Sequence, residues 1–202
     1  WGGQTISFLG DAAFLVALGW RVTELGGSLG FVLAVESLAL LTTLLWGGVL
    51  ADRHSRRLMM IGSDVARGLV VLGLLVVDAT GNLTMTSVLV LAGLFGLADG
   101  FFHPAFGGIV PLIVDQPMLA SANSWLNIAR QSAAIGGPAI AAVLYGATSP
   151  EVVWGIDACS FVLSGLALWL ARPRAMQAQP REGAFREIAT GRAAKTSTEC
   201  LI

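Results

Sequence analysis

Gly48-Val49-Leu50-Ala51-Asp52-Arg53-His54-Ser55-Arg56-Arg57 lies between two long apolar runs and gathers three arginines and a histidine into its last five residues. Two membrane spans joined by so short a link must form a tight hairpin. A link rich in arginine belongs on the cytoplasmic side of the membrane. The stretch therefore sets both the class of the fold and its orientation.

The composition around it agrees. The chain has 202 residues, of which 55% are hydrophobic and only 12% are charged, whereas about a quarter are charged in soluble domains. Its mean hydropathy is +0.75. The formal net charge of -1 offers nucleic acid no general attraction, and the basic residues are clustered instead of spread. These features describe an all-α integral membrane protein.

A bilayer core about 30 Å thick needs about 20 apolar residues in a helix. Six stretches meet that need: Gln4–Leu25, Gly30–Ala51, Leu58–Val77, Met85–Ala105, Ser121–Gly146 and Val152–Ala171. None alternates as the strands of a β-barrel do. The link after the second span holds Arg53, Arg56 and Arg57, and the segment after the sixth holds Arg172, Arg174, Arg181 and Arg186. The links after the first, third and fifth spans carry no Lys or Arg. Both ends are thus expected in the cytoplasm, with Asn82 and Ser149 outside. Pro104, Pro111 and Pro117 each remove a backbone donor, so the fourth span is expected to end or kink near Pro104 and a cytoplasmic link to run over 106–120. Gly93, Gly96 and Gly100 recur at the spacing that lets helix backbones approach closely. The chain divides into a bundle over residues 1–171 and a polar tail over 172–202, which is expected to lack fixed structure. It begins at Trp1 and shows no leader, so it reads as a piece that has lost its start.

Gly48, Leu50, Asp52, Arg53, Arg56 and Arg57 match, position by position, the loop between helices 2 and 3 of the major facilitator superfamily of transporters, which the chain resembles. Ser55 stands where that family most often has Gly. Phe102-His103-Pro104-Ala105, Leu119-Ala120-Ser121-Ala122-Asn123 and Ser7-Phe8-Leu9-Gly10-Asp11 resemble its drug- and siderophore-exporting branch. Gly137-Pro138, followed by Ala141 in place of a glycine, is similar to the antiporter motif of helix 5. The resemblance implies a twelve-helix fold in two related halves, of which this chain supplies the N-terminal six-helix half. It also implies a missing C-terminal half as partner. The 2–3 loop would then act as a latch whose charges pair across the two halves in one state only. Asp99, placed near the inner end of the fourth span, resembles the acidic residue that pairs with a loop arginine.

Ionisable groups inside a membrane are costly unless paired or hydrated, and each is a functional candidate. Asp11 lies about 15 Å along its helix from Trp1, near the bilayer middle. It is the leading candidate for a protonatable or substrate-contacting carboxylate, against a structural hydrogen-bonding role. Asp64 and Arg67 are three apart and able to pair, with an architectural role as the alternative. Glu36, toward the outer end of the second span, reaches either the cavity or water. Arg21 with Glu24, and Asp157, read as interfacial groups that snorkel. Neither the two histidines nor Cys159 and Cys200 have metal-ligand company. There is no phosphate-binding loop and no catalytic constellation, so neither cofactor nor enzyme is expected.

The reading is a proton-coupled secondary transporter of drugs or other small amphipathic molecules, working by alternating access in a cell membrane, here a bacterial inner membrane. The alternative is a non-transporting membrane module, a truncated product or an accessory subunit that binds a partner.

Overall fold

The computed structural model describes residues 2–170, excepting the side chains of residues 2–6, 52, 53, 112, 113, 145 and 150. The expected tail over 172–202 and the side chains of Asp52 and Arg53 lie outside the described residues. Six helices follow one another: α1 (Gly2–Glu24), α2 (Leu29–Arg53), α3 (Arg56–Ala79), α4 (Met85–Ile113), α5 (Leu119–Ala147) and α6 (Pro150–Leu170). Helices α2, α3, α4 and α6 each contain a stretch long and apolar enough to cross a membrane. Within the described residues, α1 carries Asp11 and Arg21, and α5 carries Asn123, Asn127 and Arg130.

The turns are short because their residues stop helices locally. Gly26 and Gly81 adopt φ of 70° and 69°, a left-handed conformation open to glycine at little cost. Behind each, a backbone N–H closes the last turn: Gly27 donates to Val22 at 2.9 Å and Asn82 to Val77 at 3.1 Å. Helix α4 begins with a capping box, in which Thr84 accepts from the Ser87 N–H and Ser87 accepts from the Thr84 N–H. The basic hairpin is tighter still, since only His54 and Ser55 separate α2 from α3.

Helix α2 packs along α4, α3 lies against both α4 and α6, and α1 lies against α5 and α6. The glycines of α4 bring it onto α2. A side chain at Gly96 would collide with the backbone carbonyl of Glu36, and one at Gly100 with Thr43 and the Leu40 carbonyl. On the opposite side of this seam, Gly47 lies over Gly100 and Pro104. The Gly100 carbonyl is the one that Pro104 cannot serve.

Of the two outcomes expected near Pro104, an end or a kink, the end does not occur: α4 continues through Pro104 and Pro111 to Ile113. At Pro104 the freed Gly100 carbonyl lies against Gly47 of α2, so a neighbouring helix covers that part of the backbone. The expected link over 106–120 accordingly shrinks to Val114, Asp115 and one 3-10 turn, Gln116–Met118.

Two apolar clusters fill the bundle. One, to which all six helices contribute, contains Phe14, Val32, Val71, Phe95, Ala141 and Trp154, with Phe161. The other contains Met60, Phe102, Phe106 and Leu126. The charged residues of interest lie between them.

Candidate functional site

Arg67 on α3 is the hub of the site. Its guanidinium donates to Asp64 at 2.5 Å, one turn back on the same helix, and to Asp99 of α4 at 3.0 Å. It lies over the ring of Phe102 at 4.2 Å and that of Phe161 at 4.7 Å, one from each apolar cluster. Such faces attract a cation where water is excluded. The second oxygen of Asp64 accepts from Ser164 of α6 at 2.7 Å. The second oxygen of Asp99 meets His103 Nε2 at 3.1 Å, one turn on. A continuous polar chain, Ser164–Asp64–Arg67–Asp99–His103, thus ties α6, α3 and α4 together. Side-chain exposure rises along it from 1% at Asp64 and 4% at Arg67 to 15% at Asp99 and 46% at His103.

The exposed end of the chain opens into a cavity of about 530 Å³. Helix α1 contributes Phe8, Asp11 and Phe14 to its wall, α2 contributes Glu36, and α3 contributes Arg67. Phe95, Asp99, Phe102 and His103 come from α4, and Arg130 and Pro138 from α5. The aromatic wall is itself ordered, with Phe14 stacked on Phe95 at 5.7 Å between ring centres. Arg130 sits 5.3 Å above Phe8 and 5.2 Å above Phe106. Asp11 Oδ1 is buried and has no hydrogen-bond partner. Of the four residues proposed from the sequence for a substrate or proton route, Asp11, Glu36 and Arg67 meet in this cavity, and Asp64 stands behind Arg67.

The loop residues make a different set of contacts. Arg56 donates to the Gly108 carbonyl on α4. Arg57 donates to the Leu168 carbonyl at 2.7 Å and to the Trp169 carbonyl, at the C-terminal end of α6. Leu50 is exposed, and the space where a Gly48 side chain would stand is open. Asp99 is not near the inner end of its helix, as expected, but at the middle of the 29-residue α4. Its described partners are Arg67 and His103, and the side chain of Arg53, the third loop arginine expected as a partner, lies outside the described residues. Asp99 stands at mid-helix because α4 continues past Pro104. Gly108, which the loop does reach, lies nine residues beyond Asp99, about 14 Å along the helix.

Gly137 serves the contact of α5 with α1, since a side chain there would collide with Ala12. Pro138 faces the cavity beside it.

Two features escaped the sequence reading. Asp157 is not interfacial: it is completely buried on α6, against Gly10 of α1, and its Oδ2 has no partner. Asp157, Ser160 and Ser164 lie at helical spacing and are all buried, so this polar stripe was the available signal. Asp78 takes Arg21 from across the bundle at the far end, a pairing between residues 57 apart that no local pattern announces. Arg21 still holds Glu24 at 2.6 Å, as the spacing implied. His103 stands in the sequence reading as part of the Phe102–Ala105 resemblance and as a histidine without metal-ligand company, and its spacing of four from Asp99 also places the two on one face.

The sequence pattern of the Major Facilitator Superfamily matches residues 1–198. Macrolide efflux protein A of Streptococcus pyogenes is 26% identical over 175 residues, covering 85% of this chain and 43% of that protein. Macrolide efflux protein A of Enterococcus faecalis is 26% identical over 144 residues, 70% of this chain and 45% of that protein. The MFS-type transporter YfiS of Bacillus subtilis (strain 168) is 32% identical over 170 residues, 82% of this chain and 40% of that protein. The chain thus spans less than half the length of these relatives. No solved structure matches it.

Proposed function

Because this chain belongs to the Major Facilitator Superfamily, and is a multi-pass membrane protein, we propose that it forms the N-terminal six-helix half of a proton-coupled exporter of small amphipathic molecules. The observation that carries the reading is the cavity of about 530 Å³, walled by aromatic rings and by charged groups at mid-helix. A solely structural bundle has no use for Asp11 and Glu36 facing such a space, because unpaired charge at membrane depth is costly. The macrolide exporters among the relatives support efflux of bulky, mostly apolar molecules.

In this mechanism the substrate binds between this half and a second one, and the two rock to expose the cavity alternately. Phe8, Phe14 and Phe95 hold its apolar body. Asp11 and Glu36 answer its polar groups or take up a proton in its absence. The Arg67 network keeps α3, α4 and α6 moving as one body, because separating them would leave charges unpaired in a dry interior. Arg56 and Arg57 fix the 2–3 loop to α4 and α6, which presents the rest of the loop to the second half as the latch. A proton or substrate shifts the balance only through unequal affinity for the two states.

The test is accumulation of radiolabelled erythromycin in bacteria that express the chain together with a second six-helix half. Accumulation should fall relative to control cells and recover when a protonophore collapses the proton gradient. Asp11→Asn should restore accumulation while the protein is still made and inserted. Equal accumulation with and without the protein would overturn the reading. The chain alone in liposomes should insert without transporting.

A further inference from the structure

Arg130 is a cation whose seat in the cavity wall is built of rings. Its guanidinium carbon lies 5.3 Å from the centre of Phe8 on α1 and 5.2 Å from that of Phe106 on α4. The two rings stand at 89° to each other and form a corner. Ring faces attract a cation but accept no strong hydrogen bond, so the corner fixes the guanidinium without using up its N–H donors. The carboxylates of the cavity are engaged elsewhere or held apart from it. Asp99 feels the charge of Arg130, but its two oxygens are held by Arg67 and His103. Asp11 keeps a buried oxygen with no partner, although it and Arg130 line the same cavity. Glu36 lies early in α2, which begins at the opposite end of the bundle from α5.

The approach to Arg130 is polar as well. Asn123, Asn127 and Arg130 follow one another at spacings of four and three, so they share one face of α5, and all three are exposed. On the other side of Arg130 the wall continues with Ala133 and Ala134, whose small side chains leave room beside the guanidinium. Helix α5 starts at the end of the bundle where Arg56 meets Gly108, so the two amides lead from that end to Arg130. Side-chain amides and a guanidinium all offer donors, which a carboxylate accepts. Arg130 thus gives the cavity a basic end, and Asp11 with Glu36 an acidic one.

We propose that Arg130, with Asn127 one turn before it, is an anion-binding subsite that takes the carboxylate of an aromatic amphiphile. As a substrate class the inference rests on the exporter reading; as a binding site it does not. A guanidinium presents paired N–H groups at the spacing of the two carboxylate oxygens, and such charge-assisted bonds are about twice as strong as neutral ones. Asp99 beside it repels a doubly charged head more than a singly charged one, which favours a carboxylate over a phosphate. With the head at Arg130, the flat body of the ligand continues along the cavity onto Phe14 and Phe95, themselves stacked on each other. A neutral molecule of the same shape meets the same rings but leaves Arg130 unanswered.

The probe is naphthalene-2-carboxylate, with naphthalene-2-carboxamide as its neutral match. Each is titrated onto the full chain in nanodiscs, against empty nanodiscs. Wild type should bind the carboxylate more tightly than the amide by about tenfold. Arg130→Gln should abolish that difference and bind the amide as before. Arg130→Lys should keep part of it, because the charge remains while the fork is lost. Asn127→Ala should weaken the carboxylate by about threefold. Wild type, with no substitution at all, supplies an independent measurement. Phenylglyoxal, which condenses with accessible guanidinium groups, should modify Arg130, and the carboxylate but not the amide should slow that modification, as read by peptide mass spectrometry. Equal binding of carboxylate and amide by wild type, or none of either, would overturn the subsite. So would carboxylate binding that survives in Arg130→Gln, or modification of Arg130 that the carboxylate does not slow. Erythromycin carries no carboxylate, so its efflux tests the exporter reading separately. Failed efflux with this binding pattern intact would remove that reading and leave the subsite standing.

Discussion

Arg67 shows why magnitudes separate the ion pairs of this chain. Its side chain is 4% exposed and that of Asp64 is 1% exposed, so neither is answered by water. Removing one partner of a buried pair costs about 3–5 kcal/mol, chiefly because the other charge is stranded. Arg67→Met should therefore lower the thermal midpoint in detergent sharply, and Arg67→Met with Asp64→Asn should lose less than Arg67→Met alone. Lysine at 67 should fall between, since one ammonium cannot span both carboxylates in the planar fork that arginine uses. Glu24, 44% exposed in its pair with Arg21, is the contrast. Glu24→Gln should change stability by no more than about 1 kcal/mol. Equal losses from Arg67→Met and Glu24→Gln would show that the network is wet and not structural. Asp64 and Arg67 were legible as a pair because three residues on a helix bring side chains together whatever surrounds them.

At the scale of elements, the seam between α2 and α4 is the most demanding. Gly96→Val should push the Glu36 carbonyl away and unseat α2, giving little protein that survives extraction. Gly107→Ala, with nothing near the added carbon, should be tolerated or slightly stabilising in the same helix. Parity of the two variants in extraction yield would mean that α2 and α4 are not so tightly apposed. The end of α6 offers a second measurement. Arg57 holds the carbonyls of Leu168 and Trp169, in the last described turn of that helix. Arg57→Ala should speed hydrogen exchange in the final turn of α6 by about tenfold and leave the first turn unchanged. The three α4 glycines could be picked out in the sequence because their spacing repeats on one helix face. Of the end or kink expected at Pro104, the end did not occur: proline stops a helix in water, but there α2 lies against the freed Gly100 carbonyl and α4 continues.

For the whole molecule the prediction is orientation. From the arginines after the second span and their absence after the first and third, the α2–α3 turn should face inside and the α3–α4 turn outside. Cysteine introduced at His54 should be labelled by an impermeant maleimide only in inverted vesicles, and cysteine at Asn82 only in sealed cells. Cys159 is exposed on α6, so it and Cys200 must first be replaced. Labelling of position 54 in sealed cells would reverse the bundle in the membrane.

The sequence by itself determined the helical membrane class, the basic hairpin, the six helices to within a few residues except at the end of α4, and the pair Asp64–Arg67. Each follows from residues near one another along the chain, where spacing and hydropathy act before any partner helix arrives. Tertiary structure alone decided the rest. Arg67 reaches Asp99 across 32 residues, Ser164 reaches Asp64 across 100, and Arg57 reaches the end of α6 across 111. Such contacts depend on which helix faces meet. That choice is made by small residues such as Gly10 and Gly96 admitting a neighbour's backbone or side chain. Asp157 is the clearest instance: its helix position suggested the membrane surface, and Gly10 on another helix closed over it.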